Sequence, residues 1–231
     1  MEFHFDRALR TLGPSLLNGV GIVVYITIVG FLFALIAALL LAIGKLSKNK
    51  ILTGVLSVFI EIIRGTPLLV QFFYIYYVIP MLINGIAATM GYDINVQFKA
   101  ATCGIIGFAI NYGCYMSEVI RSAIVSIDPG QREAGLALGF SETQVLFRFI
   151  IPPALRNSIP VFGNYLVMMI KDTSLLAMIA VQELLLRTKT YASQTFLTVE
   201  AYTILAIVYL IISLPLSQLC KIIERRLKRV R

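Results

Sequence analysis

Five long apolar stretches constrain this chain more than any other feature of its sequence. Hydrophobic residues make up 58% of its 231 residues and charged residues only 14%, whereas soluble domains carry about 25% charged residues. A helix needs about 20 apolar residues to cross the hydrocarbon of a bilayer. The stretches therefore predict an all-α membrane protein, a single domain with five transmembrane helices at about residues 14–44, 51–83, 100–127, 159–182 and 199–220.

Basic residues are distributed unevenly between the segments that join these helices. With five crossings the termini lie on opposite sides of the membrane. Twelve Lys and Arg fall in the set that holds segments 44–50 and 128–158 and the C-terminal tail, and five fall in the other set. Cytoplasmic segments are enriched in Lys and Arg, so we expect a multi-pass plasma-membrane protein with its N-terminus outside and its C-terminus in the cytoplasm. Arg7 and Arg10 argue weakly for the reverse. The net charge of +8 thus reflects topology and predicts no nucleic-acid partner.

The sequence lacks the motifs of a metal site or a hydrolase. Its three cysteines, in or beside apolar stretches, do not have ligand or disulfide spacing. It has no phosphate-binding Gly-x-x-x-x-Gly-Lys-Ser/Thr loop, and neither a His-Glu-x-x-His helix nor a Gly-x-Ser-x-Gly turn. We therefore expect no cofactor in this chain and no enzymatic activity of its own.

The second predicted helix is interrupted near the middle of the membrane by Gly65-Thr66-Pro67. Gly65 and Pro67 break a helix, and Thr66 and Pro67 suit the N-cap and first residue of a new one. A half-helix is therefore predicted to begin here, with unpaired amides at Leu68 and Leu69. Its positive dipole end suits a substrate carboxylate.

Arg64 and Gln71 flank this interruption. The sequence is compatible with two roles for Arg64. It adds a formal positive charge beside the half-helix, or it forms an ion pair with Glu61 one turn away on a kinked helix.

Other polar side chains are predicted at the same depth. At about 1.5 Å per residue, Arg64, Asn111 and Lys171 lie roughly 18–21 Å along their helices from a membrane surface. Charged groups there are costly and are candidates for function. Lys171 and Asp172 point about 100° apart, so Asp172 is free to accept an ammonium group; a polar contact with a partner helix is the alternative. The predicted substrate-binding residues are Arg64, Gly65, Thr66, Gln71, Asn111, Tyr112, Lys171, Asp172, Thr173 and Ser174.

Two further features are interpreted as structural, and one tyrosine is a weaker functional candidate. Gly107 and Gly113 suit close packing between helices. Glu118 and Arg121 are one turn apart and suit an ion pair. Tyr115 is a weaker candidate for the path of a solute.

The segment of residues 128–158 encodes a short helix with a signal at each end. Asp128 suits an N-cap and Pro129 the first helical residue, and Gly139 suits a left-handed C-cap. Ser141 and Gln144 then form a capping box for a second helix, predicted to end before Pro152-Pro153. The small residues of the first helix would let another protein approach closely. The alternative is that this helix rests on the bilayer surface. Composition alone leaves both interpretations open.

Glu133-Ala134-Gly135, followed by Gly139 and Pro152, resembles the Glu-Ala-Ala loop of ABC-importer permeases. Gly135, Phe149 and Ile151 are mild departures from that pattern. The resemblance implies a type I importer fold in which residues 128–140 form a cytoplasmic coupling helix that docks on an ATPase. It assigns this contact to Arg132, Glu133, Ala134, Gly135, Leu138 and Gly139.

Two other motifs, residues 64–71 and 171–175, resemble the permeases for polar amino acids of the histidine, glutamine, arginine and opine group. The resemblance extends from about Pro14 to Glu224. It implies import of a polar amino acid, cystine among the possible substrates. The implied partners are a cytoplasmic ATPase dimer that holds ATP and Mg²⁺, a second permease chain, identical or homologous, an external substrate-binding protein and membrane lipid.

Three other classes of membrane protein are weighed against this one. An ion-coupled secondary transporter of amino acids needs two repeats or about twice this length. A membrane-embedded enzyme needs a convergent catalytic set, and a passive channel needs rings of selectivity residues. The sequence shows none of these.

Overall fold

The computed structural model describes residues 3–228, and helices occupy most of that range. Arg229 and Arg231 of the predicted basic tail lie outside the described residues. Two π-helical turns, Tyr74–Val78 and Leu146–Ile150, and a 3₁₀ segment, Thr173–Ile179, continue neighbouring helices. The α-helices of the described residues are α1 (Phe5–Lys45), α2 (Lys50–Gly65), α3 (Leu68–Phe73), α4 (Ile79–Thr89), α5 (Ala100–Val125), α6 (Pro129–Ala137), α7 (Glu142–Val145), α8 (Ile151–Asp172), α9 (Leu184–Thr195) and α10 (Thr198–Lys228).

Five helical units of the described chain are long and apolar enough to cross a membrane, which confirms the predicted all-α fold with five such helices. They are Phe5–Lys45, Leu68–Thr89, Ala100–Val125, Glu142–Ile179 and Thr198–Leu227. The second unit begins after the break at Gly65-Thr66-Pro67, and α2 precedes it as a separate helix. The first unit has 41 residues, about twice the 20 that a bilayer requires, so it extends beyond the hydrocarbon.

The first hydrophobic core forms where α1 packs on α5 through small residues. A Cβ on Gly113 would lie 2.9 Å from the Cβ of Ala37, and a Cβ on Gly107 would lie 2.5 Å from the Phe72 ring. Phe72 and Phe108 are fully buried beside them, with their rings edge to face. The prediction that Gly107 and Gly113 permit close helix packing is therefore confirmed.

A second core joins the first half of α1 to α9 and α10. Leu12 and Leu16 of α1 pack there with Leu184 of α9 and Ala201 of α10. Gly19 permits a close approach at this junction, because a Cβ there would lie 3.3 Å from the backbone nitrogen of Leu184. The two cores fix α1 against both ends of the bundle.

Three charged side chains connect the end of α1 to α5. Lys45 Nζ lies 2.6 Å from Glu118 Oε1, and Arg121 Nε lies 2.9 Å from Glu118 Oε2. The predicted pair of Glu118 and Arg121 is present, and Lys45 extends it into a network that links two helices.

Candidate functional site

The interruption at residues 65–67 creates a helix start beside a cavity. Pro67, and not Thr66, is the N-cap, and the helix begins at Leu68, one residue later than predicted. Thr66 Oγ1 instead donates to the Ile62 carbonyl oxygen at 2.9 Å and so closes the end of α2. Within residues 3–228, the Leu68 and Leu69 amides have no hydrogen-bond acceptor. The predicted positive helix end is therefore present.

Gln71 fixes the broken backbone to α5. Its Nε2 donates to the Ile63 carbonyl oxygen at 2.7 Å and to Thr66 Oγ1 at 3.0 Å. Its Oε1 accepts from Asn111 Nδ2 at 3.1 Å. Both polar ends of Gln71 are thus bonded within the protein and hold the break in place, and its predicted substrate contact stays a prediction.

A cavity of about 480 Å³ lies at this break, lined by residues of α2, α3, α5 and α8. Its walls are Arg64, Gly65, Thr66, Pro67, Leu68, Asn111, Tyr112, Tyr115, Tyr165, Met168 and Asp172. Six of the ten predicted substrate residues are in this set, so distant parts of the sequence meet at one place.

Arg64 stacks on an aromatic ring at the cavity wall. Its guanidinium lies 5.1 Å from the centre of the Tyr115 ring, a cation–π contact. The Tyr115 hydroxyl donates to the Arg64 carbonyl oxygen at 3.1 Å. The alternative pairing of Arg64 with Glu61 is not the arrangement in the structure, and the guanidinium remains exposed beside the cavity.

Asp172 brings a carboxylate to the same cavity. The Tyr112 hydroxyl donates to its Oδ2 at 2.6 Å, which fixes the carboxylate and leaves its second oxygen available. Tyr112 and Tyr165 contact each other edge to face, with ring centres 5.9 Å apart. The cavity thus offers a guanidinium, free amides and a carboxylate between aromatic walls.

Three predicted residues beside Asp172 do not line this cavity. Lys171 is exposed and points away from Asp172, as helical geometry requires for neighbours. Thr173 Oγ1 donates to the Ile170 carbonyl oxygen at 2.5 Å, and Ser174 Oγ to that of Lys171 at 2.9 Å. These two hydroxyls therefore donate to the backbone at the end of α8, outside this cavity, and their predicted substrate contacts stay predictions.

Tyr165 and Met168 are cavity residues that the sequence analysis missed. They precede Asp172 by seven and four residues, and this spacing places all three on one face of α8. Counting back from Asp172 by helical turns would have found them, although in an apolar stretch they resemble ordinary core residues.

α6 has the ends that the sequence predicts. Asp128 Oδ1 accepts from the Gly130 amide at 2.7 Å, and Gly139 adopts φ +84°. The Phe140 amide donates to the Gly135 carbonyl oxygen at 3.2 Å, which completes the reversal of the chain. The capping box of Ser141 and Gln144 is also present.

The residues predicted to contact an ATPase fall on two faces of this helix. Glu133, Ala134 and Leu138 are exposed, Leu138 at 76%. Gly135 is buried, and a Cβ there would lie 2.8 Å from Val145 Cγ2. Gly135 therefore packs α6 against α7 and does not present a surface to a partner. Arg132 forms an ion pair with Glu142, which further ties the two helices together.

The second helix of this segment is longer than predicted. It was expected to end before Pro152-Pro153, but α7 continues through the π-helical turn into α8. Pro152 is the second residue of α8. The π-helical turn makes room for proline because it shifts the hydrogen bonds at this junction, where the Ile151 amide donates to the Leu146 carbonyl oxygen.

A cavity among the helices of a membrane protein that holds groups of both charges suits the passage of a charged solute. The chain belongs to the family of binding-protein-dependent transport system inner membrane components, whose model matches residues 30–229. It is therefore a multi-pass component of an inner membrane, a transport subunit and not an enzyme.

Comparisons with individual proteins agree with this family. The L-cystine transport system permease protein TcyB of Bacillus subtilis is 37% identical over 97% of this chain and 92% of its own length. The glutamine transport system permease protein GlnP of Escherichia coli is 36% identical over 99% of each chain. A crystal structure of an amino acid ABC transporter with histidines matches at a TM-score of 0.83 and 32% identity, over 98% of this chain and 100% of that one. The type I importer fold is thus confirmed.

Proposed function

We propose that this chain carries a polar α-amino acid across the membrane, into the cytoplasm, as the permease of an ATP-driven importer. Two relatives named for glutamine and L-cystine transport cover nearly the whole chain. The observation that carries the proposal is the cavity that holds Arg64, free helix amides and Asp172 together. An α-amino acid is a zwitterion, so its carboxylate matches Arg64 and the free amides, and its ammonium group matches Asp172.

The carboxylate of the substrate binds Arg64 and the amides of Leu68 and Leu69. Gly65 leaves the approach open, since a Cβ there would meet no atom within 4 Å. The ammonium group binds the free oxygen of Asp172. Tyr115, Tyr165 and Met168 enclose the side chain, and Asn111 offers a carboxamide near its polar end.

A second permease chain, a copy of this one or a similar one, completes the cavity. Glu61, Arg64 and Lys171 are exposed, and a charge facing lipid at membrane depth costs several kcal/mol, roughly 2.5–3.5 on insertion scales. α2 buries only Ile60 against the rest of its own chain. These facts favour a protein partner over lipid along the open side of the cavity.

α6 is the contact for a cytoplasmic ATPase dimer, which holds the ATP and Mg²⁺. Glu133, Ala134 and Leu138 form the contact face. Arg132, Gly135 and Gly139 set the shape and orientation of the helix. The N-terminus lies outside, where a substrate-binding protein delivers the amino acid, and the C-terminus lies in the cytoplasm.

Binding of radiolabelled glutamine and cystine to the purified permease–ATPase complex tests the cavity. A lost hydrogen bond to a charged group costs about 1.5–3 kcal/mol, so Asp172→Asn should raise the Kd about tenfold or more. Asp93→Asn, in the exposed segment between α4 and α5, is the control and should leave the Kd unchanged. Equal Kd values for wild type and Asp172→Asn would contradict the proposed site.

A further inference from the structure

Glu183 is a fully buried carboxylate outside the cavity. Its side chain has 0% exposure, and it lies between the 3₁₀ segment and α9. Its two oxygens accept from the amides of Leu185 and Leu186, each at 2.8 Å, so it is the N-cap of α9. Burial raises the pKa of the Glu183 carboxyl, and its amide donors, Tyr209 and Arg187 act to lower it.

Tyr209 of α10 bonds to the residue that follows a short linker. The linker consists of residues 173–182, that is, the 3₁₀ segment with Ala180, Val181 and Gln182. The Tyr209 hydroxyl donates to Glu183 Oε2 at 3.2 Å, directly after the end of the linker. This hydrogen bond therefore ties the end of linker 173–182 to α10.

The linker is anchored at its far end and strained near that end. Arg187 of α9 donates to Ser15 Oγ at 3.1 Å and to the Gln182 carbonyl oxygen at 2.7 Å, which fixes α9 to α1. Ala180 adopts φ +62°, a left-handed conformation that is unfavourable for a residue other than glycine. Such a conformation persists only where surrounding contacts enforce it.

The near end of the linker carries the cavity carboxylate. Asp172 is the last residue of α8, immediately before Thr173. Movement at Thr173 would therefore displace Asp172 relative to Tyr112 and Arg64. The bond from Tyr209 to Glu183 fixes the other end of the same short linker on a different helix.

We propose that Glu183 and Tyr209 form a latch that fixes linker 173–182 on α10 and thereby holds Asp172 in the substrate cavity. Both are positioning residues, because neither lines the cavity. The part that concerns substrate affinity rests on the proposed function, whereas the part that concerns the linker does not.

Hydrogen–deuterium exchange of the purified permease, without substrate, tests the latch itself. Tyr209→Phe removes a single oxygen and should speed amide exchange in peptides covering residues 173–186 about fivefold or more. Peptides of α5 should be unaffected. Tyr202→Phe, on α10 with 40% exposure, is the matched control and should exchange like wild type. Unchanged exchange in Tyr209→Phe, or an equal increase in Tyr202→Phe, would overturn the proposal.

Glutamine binding then tests the connection to Asp172. Tyr209→Phe should raise the Kd about threefold to tenfold in the otherwise wild-type protein. In the Asp172→Asn variant, the same substitution should raise the Kd little further. Full additivity would mean that Tyr209 does not act through Asp172 and would overturn that connection. If wild type binds neither glutamine nor cystine, the proposed function fails, while the exchange experiment still decides the latch.

Discussion

Thr66 illustrates how one hydroxyl can serve a cavity by holding its backbone. The hydroxyl donates to the Ile62 carbonyl oxygen and accepts from Gln71 Nε2, so it connects both sides of the helix break. The sequence indicated a cap for the following helix, and the structure shows that it closes the preceding one. The free amides at Leu68 and Leu69 depend on this arrangement.

Thr66→Val should weaken glutamine binding by about 1 kcal/mol, or roughly fivefold in Kd. It removes the hydrogen bonds to Ile62 and Gln71 that hold the helix break, so part of the binding energy must then restore the geometry of the site. Thr53→Val is the matched control, since Thr53 Oγ1 donates to the Asn49 carbonyl oxygen four residues back on the same helix. Thr53 lies near the start of α2, far from the cavity, so the Thr53→Val variant should bind glutamine with the Kd of wild type. A Thr66→Val variant that binds as tightly as wild type would exclude this role.

Glu118 is a residue whose loss should affect stability and not binding. Glu118→Gln leaves Lys45 and Arg121 without their anion, and the Glu118 side chain is 19% exposed. We expect the free energy of unfolding to fall by about 1–2 kcal/mol, less than for a fully buried pair.

The measurement is the thermal unfolding midpoint in detergent. Glu61→Gln is the control, because Glu61 makes no ion pair within the described residues. A midpoint for Glu118→Gln equal to that of Glu61→Gln would show that the network contributes nothing.

At the scale of the element, α6 is the part of the molecule that local rules predict best. Its N-cap at Asp128 and its left-handed Gly139 depend on residues within one turn of each helix end. Gly139→Ala adds a Cβ at φ +84°, which costs about 1 kcal/mol or more. Gly139→Asn should cost less, because Asn tolerates this conformation.

Copurification of the ATPase with the tagged permease measures the effect on α6. Gly139→Ala should recover less ATPase than Gly139→Asn at the same permease yield. Equal recovery from both variants would show that the docking contact does not depend on how α6 ends.

The helix break and the end of α8 were harder to predict than α6. The sequence placed polar residues 64–71 and 171–174 at one depth, but it could not tell which of them face inward. Gln71 bonds to the Ile63 carbonyl oxygen across the helix break, and Thr173 bonds back to the Ile170 carbonyl oxygen one turn earlier in its own helix. Tyr165 was missed because an aromatic residue in an apolar stretch is most often core, and only the contact with Tyr112 shows its role.

At the scale of the whole molecule, the number of crossing helices followed from hydrophobicity alone, since lipid tolerates little else at that depth. The packing of α1 on α5 through glycine and alanine gives the bundle a rigid centre. The cavity lies at its edge, where α2 is buried only at Ile60. This arrangement is the one expected if a second permease chain covers the open side of the cavity, as proposed above.

The most direct test of the central claim is glutamine uptake into proteoliposomes that contain this permease with its ATPase and binding protein. The account predicts accumulation that requires enclosed ATP, persists when ionophores collapse every ion gradient, and is strongly reduced by Asp172→Asn. Uptake that proceeds without ATP and stops when ionophores are added would contradict it.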